Sequence, residues 1–288
     1  MWVLGARPKT LPAAIVPVVV GTSAAVGEGE PIFLWRIVAA AIVALALQVA
    51  TNYVNDYADG ERGTDDNRVG PTRLVSSGLA TADQVKAAAV LSFIVAAAAG
   101  VALSIAVGPE LLAVGAVCMA AGWGYTGGSR PYGYLGLGEV FVFIFFGVVA
   151  TVGSTYVQVG RVTQLSVVCS IAVGFLAVAL LLVNNLRDLP LDAEAGKRTL
   201  AVRIGDLRTR QLFVGLMVGT AGAIIGAATL RWPAVLGLIG LVSAIRPIRA
   251  ILDGFVGANL IPVLAETGRV QLATGAALSL GLLLGGMS

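Results

Sequence analysis

The sequence has no histidine, and only two of its 288 residues are cysteine. Without imidazole there are no histidine metal ligands and no general base of the kind best suited to neutral pH. Cys118 and Cys169 each lie inside an apolar run, where a thiol reads as a small buried hydrophobe. Neither a disulfide framework nor a thiolate metal site is therefore expected. Charge is scarce as well: Asp, Glu, Lys and Arg make up 12% of the chain, about half the share usual in a soluble domain. The net charge of +3 comes without a compact basic patch, which argues against nucleic-acid binding.

Apolar residues are abundant. The chain is 57% hydrophobic, with a mean hydropathy of +0.90, so a polytopic membrane protein is the first class to test. Charge-free runs long enough to cross a bilayer fall at 10–27, 37–55, 87–109, 111–129, 140–160, 164–186, 211–230 and 270–288. A further run, 232–252, carries Arg246 and Arg249 in its last turns. The opening MWVLGARPKT has the outline of a signal peptide, but the long apolar segments after it favour an uncleaved first membrane helix. The expectation is an all-α fold: one transmembrane domain, 1–288, with nine helices.

With nine spans, only Arg36, Arg161 and Arg231 of the 19 basic residues fall on one side of the membrane. The positive-inside rule then places the N-terminus, and the connections after spans 2, 4, 6 and 8, in the cytoplasm. The acids are also lopsided, with only Glu28, Glu30 and Glu110 on the outer side. The positive-inside rule does not explain that, so something at the inner face must want carboxylates.

These inner carboxylates concentrate in two places, NDYADGERGTDD (55–66) and NNLRDLPLD (184–192). Each follows an apolar run, and each contains Asn-x-x-x-Asp: Asn55 with Asp59, and Asn184 with Asp188. On a helix that spacing puts both side chains on one face. Asp192 extends the second row if the helix continues, whereas Pro190 argues for a kink. The likeness of the motifs suggests an internal duplication. One reading is that both are helix ends entering solvated loops, with Asp and Asn as turn formers. Against it, aspartate at a helix C-terminus opposes the macrodipole, and acids held at a membrane edge point to function.

Carboxylates with amide oxygens suit a hard cation, and Mg²⁺ fits because it binds through few carboxylates plus substrate phosphates. Nearby cations would suit a phosphate ester: Arg73 in GPTRLVSSG, Lys197 and Arg198 in AGKRTL, and Arg7 and Lys9 in RPKTLPAA. Metal, Arg and Lys around a diphosphate would form an electrostatic clamp for a departing anion. For each cation taken singly, positive-inside topology is the competing explanation. The stretch GWGYTGGSRPYGYLGLGE (122–139) adds Tyr125, Arg130, Tyr132 and Tyr134 among glycines. It reads equally as a ligand-facing segment or as a tight interhelical turn with interfacial tyrosines.

Taken together, NDYADGERGTD, YTGGSRPYGYLGLGE and NNLRDLPLDAEAGKRTLAVRIG resemble the signature segments of the UbiA superfamily of intramembrane prenyltransferases. RPKTLPA and GPTRLVSSG are similar to its menaquinone branch, the 1,4-dihydroxy-2-naphthoate polyprenyltransferases. The resemblance covers nearly the whole chain. It implies nine helices around a central cavity in the cell membrane, with the aspartate motifs facing each other at its cytoplasmic mouth. Carried over by position, Asn55, Asp59 and Asp65 would form one Mg²⁺ site, with Asp56 beside them. Asp188 and Asp192 would form the other, with Asn184 nearby. Asp59, Asp188, Arg73, Lys197 and Tyr125 would be the catalytic set. Arg7, Lys9, Asn55, Asn184, Arg130, Arg198 and Tyr132 would bind substrate. Two departures stand out. Gly63 takes the last acidic position of the common NDxxDxxxD form, and Leu-Pro-Leu separates Asp188 from Asp192.

The implied substrates are a polyprenyl diphosphate and 1,4-dihydroxy-2-naphthoate, joined with loss of the carboxylate to give demethylmenaquinone. Tyr125, Tyr132 and Tyr134 are candidates for stabilising an allylic cation through their ring faces. Other UbiA-type enzymes, with 4-hydroxybenzoate or another acceptor, are the nearest alternatives. A cation transporter would place ionisable groups at mid-depth, where these spans have almost none. A CDP-alcohol phosphotransferase would keep its acids in one continuous motif, not on two distant segments.

Overall fold

The structure is a computed structural model that describes residues 1–63, 73–129 and 131–287. Among these residues it is all-helical, with no strand. The principal helices are α1 (Pro12–Ala25), α2 (Leu34–Glu61), α3 (Ala82–Val107), α4 (Glu110–Gly124) and α5 (Gly138–Val159). They continue as α6 (Gln164–Glu194), α7 (Asp206–Leu230), α8 (Trp232–Leu252) and α9 (Leu260–Gly286).

Six of them, α2, α3, α5, α6, α7 and α8, are long and apolar enough to cross a membrane. A seventh candidate is the pair Trp2–Thr10 and Pro12–Ala25, which bends by 53°. Helix α4 is apolar but only 15 residues long. Helix α9 has the length, at 27 residues, but Glu266, Arg269 and Gln271 interrupt its apolar run. Many large apolar side chains face outward, among them Ile94 and Ile105 on α3, Val117 on α4 and Val218 on α7. That surface suits lipid, not water.

The most deeply buried of the six is α6. Its residues Leu176, Leu180 and Val183 join Phe213 and Met217 of α7 and Val263 and Leu264 of α9 in the largest core cluster. Where α5 crosses α6, Gly147 meets Gly174 so closely that a Cβ on Gly147 would lie 2.5 Å from the Gly174 Cα. Beside that contact α5 widens into π-helical turns over Phe143–Val149, a device that re-aims side chains within a helix.

The Asn-x-x-x-Asp portions of both acidic motifs are helical. α2 runs beyond the apolar stretch 37–55 as far as Glu61, so Asn55, Asp56 and Asp59 belong to its last turns. α6 continues through Pro190 to Glu194, which keeps Asn184, Asp188 and Asp192 in one helical row. The three cations set apart by the sequence meet at the far end of the bundle. Arg161 and Arg231 pair with Glu28 at 3.0 and 3.6 Å. Arg36, at the start of α2, donates to the Val157 carbonyl at 2.9 Å.

Candidate active site

A cavity of about 690 Å³ lies within the bundle. Its wall takes one face from each helix that borders it. On α2 the residues are Ala40, Val43, Ala44, Leu47, Gln48, Thr51, Asn52, Asn55 and Asp59, which recur at the three- and four-residue intervals of one helix face. At roughly 1.5 Å per residue, the run from Asp59 to Ala40 covers about 28 Å, close to the ~30 Å of a bilayer's hydrocarbon core. The deep part is apolar, with Leu103, Leu111, Val114, Phe145, Val149 and Val157. The mouth gathers Asn55, Asp59, Arg73, Asn184, Asp188, Asp192 and Lys197, and there the two acidic motifs face each other.

Asp59 is buried among cations. Lys197 Nζ donates to its Oδ2 at 3.1 Å, and Arg73 Nη2 stands 3.9 Å from the same oxygen. The Tyr134 hydroxyl donates to Oδ1, and the Tyr134 ring lies under Lys197 Nζ at 4.9 Å. These cations offset the cost of a carboxylate at the negative end of α2. Lys197 reaches the mouth because the chain folds back after α6. Its backbone N–H donates to the Asp192 carbonyl, and the Arg198 N–H donates to the Tyr134 carbonyl.

Asp188 is held differently. Arg187 grips both of its oxygens at 2.7 Å, and Arg187 Nη2 also donates to Asn184 Oδ1 at 2.9 Å. Arg187 is thus a site residue that pattern reasoning missed. It read as one of many inner-face cations, and adjacency in sequence gives no hint of a bidentate grip.

Arg7 donates to Asn55 Oδ1 at 2.6 Å. It is the one non-glycine among the described residues with positive φ, at 52°. Neighbouring bonds hold that conformation: Asn52 donates to the Ala6 carbonyl, and Thr10 Oγ1 donates to the Arg7 carbonyl. Lys9 lies on the same wall.

Asp56 has a different position from the other motif acids. It is buried, accepts from the backbone N–H groups of Leu74 and Val75 at 2.8 and 3.0 Å, and is not on the cavity wall. It fixes the loop that carries Arg73. Gly60 permits the close fit, because a Cβ there would lie 2.5 Å from Val75 Cγ1. Arg198 is also off the wall, with an exposed side chain. Asp65 and Arg130 lie outside the described residues.

Tyr125 and Tyr132 face the cavity and meet edge to face at 5.5 Å, and Tyr132 stacks on Phe141 at 3.9 Å. Burial pushes the Tyr132 hydroxyl above the ordinary tyrosine range, so that ring is neutral at physiological pH.

Among the described residues no three acidic side chains are close enough to cage a metal alone. Carboxylates, amide oxygens and cations around a shared opening fit a magnesium ion that takes its remaining ligands from water and phosphate. A helical bundle with a deep apolar cavity and an oxygen-rich, cation-rimmed mouth defines the class of a membrane-embedded enzyme. The match to known proteins gives the class its family: the chain belongs to the UbiA prenyltransferase family, whose model covers residues 14–253. It is a multi-pass membrane prenyltransferase.

A 1,4-dihydroxy-2-naphthoate octaprenyltransferase of Mycobacterium tuberculosis is 48% identical over 288 residues, covering 100% of this chain and 98% of the relative. A protein of the same name from Bacillus subtilis is 31% identical, covering 99% and 92%. A UbiA homolog from Archaeoglobus fulgidus bound to DMAPP and Mg²⁺ superposes with a TM-score of 0.63 at 17% identity, covering 98% and 99%. An apo homolog from Aeropyrum pernix K1 gives 0.72 at 15%, covering 93% and 95%.

Proposed function

We propose that this protein transfers a polyprenyl group from a polyprenyl diphosphate to 1,4-dihydroxy-2-naphthoate. The observation that carries the reading is a cavity whose apolar channel ends at Asp59, Asp188, Lys197 and Arg73. The names of the full-length relatives point to the acceptor.

Asn55, Asp59 and Asp65 would hold one Mg²⁺, and Asp188 with Asp192 a second, with Asn184 beside it. Bound Mg²⁺ supplies positive charge against the developing diphosphate. Arg7, Lys9, Arg73 and Lys197 add their own charge around the leaving group, and the channel keeps the prenyl chain out of water. The allylic C–O bond breaks and its electron pair leaves with the diphosphate. The ring carbon bearing the carboxylate attacks the allylic carbon, and that carboxylate leaves as CO₂. The product is demethylmenaquinone in its hydroquinone form. Tyr125 and Tyr132 offer ring faces to the cation.

Nine crossings follow if α4, α9 and the bent N-terminal pair join the six apolar helices. The basic bias then puts the N-terminus and the cavity mouth on the cytoplasmic side of the cell membrane.

Purified protein with Mg²⁺ and octaprenyl diphosphate, given dihydroxynaphthoate and 4-hydroxybenzoate in parallel, should prenylate the naphthoate and stop when EDTA is added. Prenylation of the benzoate alone would overturn the acceptor, and activity undiminished by EDTA would overturn the metal clamp.

A further inference from the structure

Glu139 is a buried carboxylate that the diphosphate clamp does not use. It stands in the first turn of α5, 5% exposed, and its Oε1 accepts from Asn185 Nδ2 at 2.9 Å. Its Oε2 is buried with no hydrogen-bond partner. A buried carboxylate oxygen left that way needs a reason for being kept. Glu139 is not on the cavity wall, but Asn185 is.

A primary amide donates at its nitrogen and accepts at its oxygen. With Nδ2 held on Glu139, Asn185 has its carbonyl Oδ1 left to offer a guest. The aromatic wall of Tyr125, Tyr132 and Phe141 borders the same part of the cavity. Tyr125 also touches this corner, since a Cβ on Gly138 would lie 3.4 Å from its ring. The corner offers ring faces and the neutral Asn185 carbonyl, and the anion-binding cations belong to the clamp beyond Asn184. A planar aromatic ring with a hydroxyl group suits it, and a diphosphate does not.

We propose that Asn185, oriented by Glu139, accepts a hydrogen bond from a ring hydroxyl of the aromatic acceptor. This rests on the functional reading above and adds where the acceptor binds. Asn185 is the contact and Glu139 the positioning residue that fixes which end of the amide faces inward. A hydroxyl donating to Oδ1 keeps more electron density in the ring, which favours attack on the allylic carbon.

The test is steady-state kinetics of the full chain with Mg²⁺, octaprenyl diphosphate and three acceptors: 1,4-dihydroxy-2-naphthoate and its two monohydroxy analogues. Asn185→Leu should raise KM for dihydroxynaphthoate about tenfold, the worth of one hydrogen bond. KM for octaprenyl diphosphate should stay within about twofold, because uniform binding of the donor is untouched. For the analogue lacking the bonded hydroxyl, wild type and Asn185→Leu should agree. Glu139→Leu should shift the acceptor KM in the same direction, and Glu139→Gln should restore it, since the Gln oxygen can accept from Asn185.

An unchanged acceptor KM in Asn185→Leu, or an equal rise for octaprenyl diphosphate, overturns the proposal. If Glu139→Leu fails to fold, the Asn185→Leu comparison across the three acceptors still decides. Absence of any transfer to dihydroxynaphthoate by the wild type overturns the functional reading, and the acceptor site falls with it.

Discussion

Lys197 Nζ lies 3.1 Å from Asp59 Oδ2, although 138 residues separate them. The contact joins the end of α2 to the loop after α6 and brings a cation from just beyond the second acidic motif to an acid of the first. Replacing Lys197 with Met keeps much of its bulk and removes its charge. Asp59 still has Arg73 and Tyr134, so the fold should survive. Losing one preorganised charge from the clamp should lower kcat about a hundredfold or more. Kinetics with saturating acceptor measure the effect.

Arg187 and Asp188 form a buried, two-point ion pair. Removing one partner of such a pair strands a charge, at a cost of about 3–5 kcal/mol. Arg187→Leu should therefore unfold at distinctly lower temperature in detergent. Adding Asp188→Asn should recover much of that loss without restoring transfer. Thermal denaturation of the single and double variants, with transfer assayed in parallel, separates stability from activity.

The Arg73 loop depends on two supports on α2. Asp56→Ala removes the acceptors for the Leu74 and Val75 amides, and Gly60→Val pushes on the Val75 side chain. Hydrogen bonds to a charged group are worth about 1.5–3 kcal/mol. Both variants should raise KM for the polyprenyl diphosphate, through a misplaced Arg73, more than KM for the acceptor. An effect confined to the acceptor would show that the loop does not serve the clamp.

Burial raises the hydroxyl pKa of Tyr132. Its folded-state value then lies above that of the unfolded chain, so the stability it contributes is complete below about pH 10. It falls as pH rises further, where only the unfolded chain ionises. Ultraviolet titration of the six tyrosines should show no less tyrosinate at pH 11 in a Tyr132→Phe variant than in the wild type. A smaller signal in the variant would mean that this hydroxyl ionises normally.

Much of the fold was legible because apolar run length and charge asymmetry follow directly from bilayer physics. The run 37–55 marks α2 but stops at Asn55, where charged residues begin, while the helix itself continues to Glu61. Tertiary cations stabilise those last helical turns, and no local pattern encodes them. Pro190 leaves open from sequence whether the helix reaches Asp192, and α6 continues through it to Glu194. Asn55, Asp59, Asn184, Asp188 and Asp192 share a four-residue spacing in sequence, and all five line the cavity. Arg187 and Glu139 were not found, because their roles depend on a neighbour's orientation and on burial across α5 and α6. Asp56 matches the motif, while its carboxylate on α2 holds a loop that spacing alone does not place.

Release of the acceptor's carboxyl carbon is the most direct measure of the proposed reaction. With carboxyl-labelled 1,4-dihydroxy-2-naphthoate, Mg²⁺ and octaprenyl diphosphate, the wild type should release labelled CO₂ one for one with diphosphate. Asp59→Asn should release neither. Label retained in a prenylated product, or CO₂ released without octaprenyl diphosphate, would contradict the account.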